Sequence, residues 1–208
     1  MVTFHSLLSS AGWAAVFLGL VGTIAQYARA KRLGVEGVSL ATWVLFVFMG
    51  CFWITYGAVS AHSWQVILGS LIILPIQLAI VFRLKPWRRW NVTVRCFAFF
   101  VVCCVIPTLL WGWAGGVLGT GIAMTANRGP QIVELVRHED ASGVSVSSWV
   151  LGVGGSVLWV GYYSGAHLWA ALVSTLVAGI ANLSIALLAS WRHGQARRQL
   201  VAVEVFAD

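Results

Sequence analysis

Few side chains in this sequence are equipped for chemistry, and most of those come in matched pairs. Trp53 and Trp159 offer two flat indole faces. Such faces suit the C–H faces of a sugar ring or an apolar amino-acid side chain, or else they pack against neighbours and lipid. Gln77 and Asn182 are amides set in apolar runs. Intramembrane amides usually face the interior of a bundle, where they recognise a solute or tie helices together by hydrogen bonds. Pro130, preceded by Gly129, removes a backbone N–H and bends a helix. The bend is either a hinge for a gate or a static kink. Arg128 lies deeper than the other basic residues. At a helix centre an arginine costs roughly 2.5–3.5 kcal/mol, so it is expected to snorkel to headgroups, or otherwise to face a pore near Asn127. Glu36, Glu134, Glu139 and Asp140 all fall at one surface, so no carboxylate occupies an apolar core. No paired carboxylates, metal-ligand cluster or Ser/His or Cys/His arrangement lies at depth, so no enzyme, cofactor or metal is expected.

These residues must be held by membrane helices. Sixty per cent of the 208 residues are hydrophobic and nine per cent are charged, against about a quarter charged in a soluble domain. The apolar runs are long and do not alternate, which excludes barrel strands. A span takes roughly 20 residues. The pattern predicts seven helices near 6–28, 39–59, 63–83, 92–112, 115–136, 147–165 and 168–191, with a mobile tail over the last ten or so residues. Cys51, Cys96, Cys103 and Cys104 all fall inside these helices, as small packing residues. The net charge of +7 does not point to nucleic acid. All thirteen Lys and Arg lie around the turns after helices 1, 3, 5 and 7, and the other ends hold none. The positive-inside rule then places the N-terminus outside and the C-terminus inside, in a multi-pass protein expected in the cell membrane.

The chain also repeats. Gly37-Val38-Ser39, Trp43, Trp53 and Tyr56 recur 106 residues later as Gly143-Val144-Ser145, Trp149, Trp159 and Tyr162. Gln26 recurs at Gln131, and His62-Ser63-Trp64 is echoed by His167-Leu168-Trp169 at a shift of 105. Each unit holds three helices (residues 6–83 and 115–191), joined by a linker helix (92–112) and followed by a cytoplasmic tail (192–208). Three is odd, so the linker restores direction and the repeat is parallel. Arg29 and Glu134 hold nearly equivalent places. A twofold axis sets them across the inner mouth, as a latch worth about 0–1 kcal/mol or as two solvated side chains. The recurring His62 and His167 fall at the outer ends. With no buried carboxylate or histidine relay, no proton coupling is expected.

These motifs resemble the PQ-loop and SWEET/SemiSWEET transporters. Pro130-Gln131, Gly143-Val144-Ser145 and Trp159-x-x-Tyr162 carry the likeness in the second half. Gln26, Gly37-Val38-Ser39 and Trp53-x-x-Tyr56-Gly57 carry it in the first. The resemblance implies an all-α, 3+1+3 membrane fold and a facilitated, alternating-access carrier of a small polar solute, a sugar by first choice. It implies Trp53 and Trp159 as solute walls, and Pro130, Gln131, Gln26, Tyr56 and Tyr162 at the gates. The family proline is Ala25 in the first repeat, and Thr42 and Ser148 replace two more, so any hinging is asymmetric. The family asparagine on the third helix is replaced by Gly69 or Ser70 and by Thr175. Its loss favours the rival reading, an amino-acid carrier of the same superfamily. A receptor without transport, similar to the KDEL receptor, requires a charged cavity, for which Arg128 is the candidate. Two repeats suffice for one pathway; a monomer and an assembly with one pore per chain both remain open.

Overall fold

Long apolar helices form because few breakers interrupt them and because a helix satisfies its own backbone in lipid. The computed structural model describes residues 4–138, 140–166 and 169–207, and contains no strand among them. Its helices are α1 (Phe4–Leu33), α2 (Leu40–Tyr56), α3 (Trp64–Arg83), α4 (Trp90–Phe100), α5 (Ile106–Ala126), α6 (Gly129–Arg137), α7 (Val146–Gly165) and α8 (Trp169–Ala207). Wider π turns extend α2 through Gly57–Ala61 and join α4 to α5 through Val101–Val105. Five segments are long and apolar enough to cross a membrane. The longest, Pro86–Arg137, has 52 residues, about 78 Å of helix at 1.5 Å per residue. That is more than twice the hydrocarbon thickness of about 30 Å. Large apolar side chains such as Phe17, Leu109, Ile122, Val157 and Leu187 point outward along the helices. Soluble monomers rarely expose continuous apolar surface of this kind, so the protein is a membrane protein.

Three departures from the expected boundaries have local causes. α5 reverses at Trp111 and Gly112, where Gly112 takes φ 67° and ψ −165°, a conformation open to glycine. This reversal separates the fourth and fifth expected helices. It lays the part of α5 that follows Gly112 against the π turn so closely that a Cβ on Gly119 meets the Cys103 carbonyl oxygen. The expected helix 115–136 is broken into two at Asn127 and Arg128, because Pro130 opens α6 and has no N–H to continue the α5 ladder. The residues expected as a tail form the end of α8, which is helical through Ala207.

α1 packs along α7 and α3, while α2 packs on α3 and α4. α8 receives α5, α6 and α7, and α2 reaches across to α5 and α6. Arg29, at the end of α1, donates to Ser142, and Arg192 on α8 donates to the last carbonyls of α6 at Leu135 and Val136. These bonds bring the 34–39 loop, the 138–145 loop and the basic helix ends to one end of the bundle, called the basic end below. One buried cluster lies there, joining Val38, Trp43, Leu135, Val144, Trp149 and Ile185. A second, around Met49, Phe52, Cys104 and Ala123, seats α2 on the α4–α5 pair.

Candidate functional site: a central cavity closed at one end

A cavity of about 280 Å³ runs between the helices. Both halves of the chain line it. Trp53 and Trp159 are both in its wall, with Ser70 and Gln77 from α3 and Thr175 and Asn182 from α8. All six residues expected to contact a solute are thus brought together. The volume equals about nine water molecules at ~30 Å³ each.

Two residues expected at the gates do something the sequence did not reveal. Gln26 and Gln131 are each 1% exposed. Gln26 Nε2 donates to the Gly143 carbonyl at 2.8 Å, and the Ser145 N–H donates to Gln26 Oε1 at 2.8 Å. Gln131 Nε2 donates to the Gly37 carbonyl at 2.6 Å, and the Ser39 N–H donates to Gln131 Oε1 at 2.8 Å. Each glutamine therefore grips the Gly-Val-Ser loop belonging to the other half, with the same atoms and the same spacing. Ser39 and Ser145 complete the pattern by capping α2 and α7, accepting from the N–H groups of Thr42 and Ser148.

The two loops also touch directly. The Gly143 N–H donates to Glu36 O at 3.1 Å. A Cβ on Gly37 comes within 2.9 Å of Ala141 Cα and Asp140 O, and one on Gly143 within 2.7 Å of Gly34 O. Only glycine permits this approach, and Gly37 also needs its φ of 73°. The basic end is closed by backbone against backbone.

Of the two arrangements open to Arg29 and Glu134, the latch does not form. Arg29 Nε donates to Ser142 O at 2.7 Å, and Nη2 lies 3.2 Å from His193 Nε2. Glu134 instead faces His138 Nε2 at 3.4 Å, one turn along. The i,i+4 neighbour on its own helix is nearer to Glu134 than any group across the mouth. Asp140 accepts from the Ser142 N–H at 2.7 Å. That bond, with the nearby His193, holds its carboxyl below the ordinary range.

Arg128 does not reach the headgroups. It is 6% exposed and lines the cavity. Its Nε donates to Asn182 Oδ1 at 2.6 Å, and Nη1 donates to Asn127 Oδ1 at 3.0 Å and to Met124 O. The break at 127–128 turns it inward. Asn182 both lines the cavity and joins helices, since its Nδ2 donates to Ser156 Oγ at 3.3 Å. Of the tyrosines, Tyr163 lines the cavity; Tyr56 and Tyr162, expected at the gates, do not. Tyr56 stacks in an aromatic group with Phe52 and Trp113, and Tyr162 lies beside Gly12 of α1. Their motif partners pack on them at 5.6 Å in both halves, so these tyrosines support the tryptophans. His62 takes a left-handed φ of 46° after the π turn, and His167 lies outside the described residues, as does Glu139.

Comparison of the chain with family models, with curated proteins and with solved structures finds no match in any of the three.

Proposed function

We propose that this chain is a carrier for a small polar solute, built as in PQ-loop and SWEET transporters. The reading has seven spans as two three-helix units around a linker span, with the basic end in the cytoplasm and the N-terminus outside. α7 is too rich in Gly and Ser to count as apolar by composition, and its small residues line the cavity, as a pathway wall does. One observation carries the reading: a cavity walled by repeat-related residues ends at a plug made of two reciprocal glutamine–loop grips. Breaking the grips opens a path to the cytoplasm without dismantling either three-helix unit. The solute binds between Trp53 and Trp159, and its size is that of a monosaccharide or an amino acid. No cavity carboxylate is available among the described residues to couple the step to protons.

A second reading, a receptor that binds without transport, gains one observation in its favour, the cavity position of Arg128. Uptake into proteoliposomes separates the two. Purified protein should admit labelled solutes from a panel of monosaccharides, amino acids and small organic acids down their gradients. Trp53→Ala/Trp159→Ala should lose at least tenfold of that uptake while keeping its thermal stability within a few degrees. Tight binding with no uptake of any panel member sinks the carrier reading in favour of the receptor.

A further inference from the structure

At its basic end the cavity presents donors and a positive charge with nothing to answer them. A guanidinium has five N–H donors and no acceptor. The three groups that Arg128 Nε and Nη1 meet, Asn182 Oδ1, Asn127 Oδ1 and Met124 O, are all neutral. Among the described residues no carboxylate pairs with it, and Nη2 makes no hydrogen bond. The guanidinium lies over the Phe46 ring at 5.5 Å. The same ring meets Trp43 at 5.4 Å and Trp149 at 6.4 Å. Both indoles line the cavity, and both have a buried N–H without an acceptor. An indole N–H donates only. Trp43, Trp149 and Arg128 are each more than nine-tenths buried. Three donor-only side chains thus converge around one phenylalanine ring, two of them repeat partners.

A buried cation without a counter-charge is costly, and so is each indole N–H left without an acceptor. Sugar hydroxyls would satisfy the donors and leave the charge unanswered. A carboxylate answers both, because its two oxygens match the guanidinium fork and retain lone pairs for further donors. We infer that the solute of this cavity is a small monocarboxylate, its anionic group seated on Arg128 Nη2. The rest of the solute extends toward Trp53 and Trp159. The inference rests on the carrier reading of the same cavity and replaces the expectation of an uncharged solute. One guanidinium answers one negative charge. About nine water volumes admit an acid of up to roughly a dozen non-hydrogen atoms.

The test pairs two measurements on the full chain with glucose, with gluconate, its open-chain C1 carboxylate, and with lactate. Thermal stabilisation in detergent reads binding. Proteoliposome uptake, with and without an inside-positive potential set by potassium and valinomycin, reads transport. Gluconate or lactate should stabilise the protein and glucose should not. Arg128→Gln should weaken that binding about tenfold to a hundredfold, the loss expected for one charged hydrogen bond, and Arg128→Lys should restore part of it. Should Arg128→Gln fail to fold, Arg128→Lys keeps the charge, loses the planar fork and should still weaken binding severalfold. Uptake of the acid should rise when the interior is positive, because an uncoupled anion carries charge inward. Acid binding that depends on Arg128, with no uptake of any probe, keeps the anion site and ends the carrier reading. Glucose uptake without Arg128-dependent acid binding keeps the carrier and overturns the anion site. Absence of carboxylate binding in wild type overturns the anion site whatever crosses.

Discussion

Gln26 and Gln131 show how two side chains hold a closed end together. Each satisfies one buried N–H and one buried C=O on a loop more than ninety residues away in sequence. A leucine of similar volume fills the space and leaves both backbone groups unpaired. Leaving a buried group unpaired costs about 1–3 kcal/mol. Gln131→Leu should therefore destabilise the protein by about 2 kcal/mol or more, read as a fall in the midpoint of thermal unfolding in detergent, and Gln26→Leu should do the same. The glutamines were visible in the sequence as repeat partners. Their grip was not, because its partners are backbone atoms of Gly37, Ser39, Gly143 and Ser145, which no side-chain pattern encodes. Arg128 misled for a related reason. Composition says only that a deep arginine is costly; that Asn182 and the Asn127 break hold it inward depends on residues that meet only after folding.

At the scale of elements, length and apolarity located the long helices, since a helix in lipid needs little beyond a continuous apolar run. The irregular joints were partly legible. Pro130 announces a break, and the structure places it two to three residues earlier, at Asn127 and Arg128. The π turns at Gly57–Ala61 and Val101–Val105 carry no proline within them and no charge, so nothing in the pattern marked them. Close helix packing was equally hidden. Gly115 and Gly119 have the small-xxx-small spacing of membrane contacts, but Gly115 meets the Pro107 carbonyl earlier in α5 and Gly119 meets the π turn, where Cys103 offers its carbonyl to the approach. Gly119→Ala puts a methyl onto that backbone oxygen, which no side-chain rotation relieves. Overpacking of this kind costs typically about 1–3 kcal/mol. The substitution should lower the unfolding midpoint, whereas Gly129→Ala, with no atom within 4 Å of the added Cβ, should leave it nearly unchanged. Equal effects from the two would remove the case for a tight contact between the π turn and α5.

For the whole molecule the decisive property is whether the plug at the basic end moves. Ser148 lines the cavity just behind the plug, and only its backbone N–H is engaged by the Ser145 cap. Cysteine at this position leaves the cap intact and places a thiol in the pathway. With Cys51, Cys96, Cys103 and Cys104 replaced by serine or alanine, Ser148→Cys becomes the single target for a membrane-impermeant maleimide. Applied from the side of the basic loops, the reagent meets backbone packed on backbone, so labelling should be slow. Gln26→Leu/Gln131→Leu removes four bonds that exist only while the plug is closed. A shift of 1.4 kcal/mol changes a two-state ratio about tenfold, so losing these bonds should speed labelling at least tenfold while the protein stays folded. Solute added to wild type should change the rate as well, because a carrier must couple occupancy to opening. A rate unmoved by both the double substitution and the solute, with Ser148→Cys readily labelled from the opposite face, would mean that the plug is a static floor and the cavity a binding pocket.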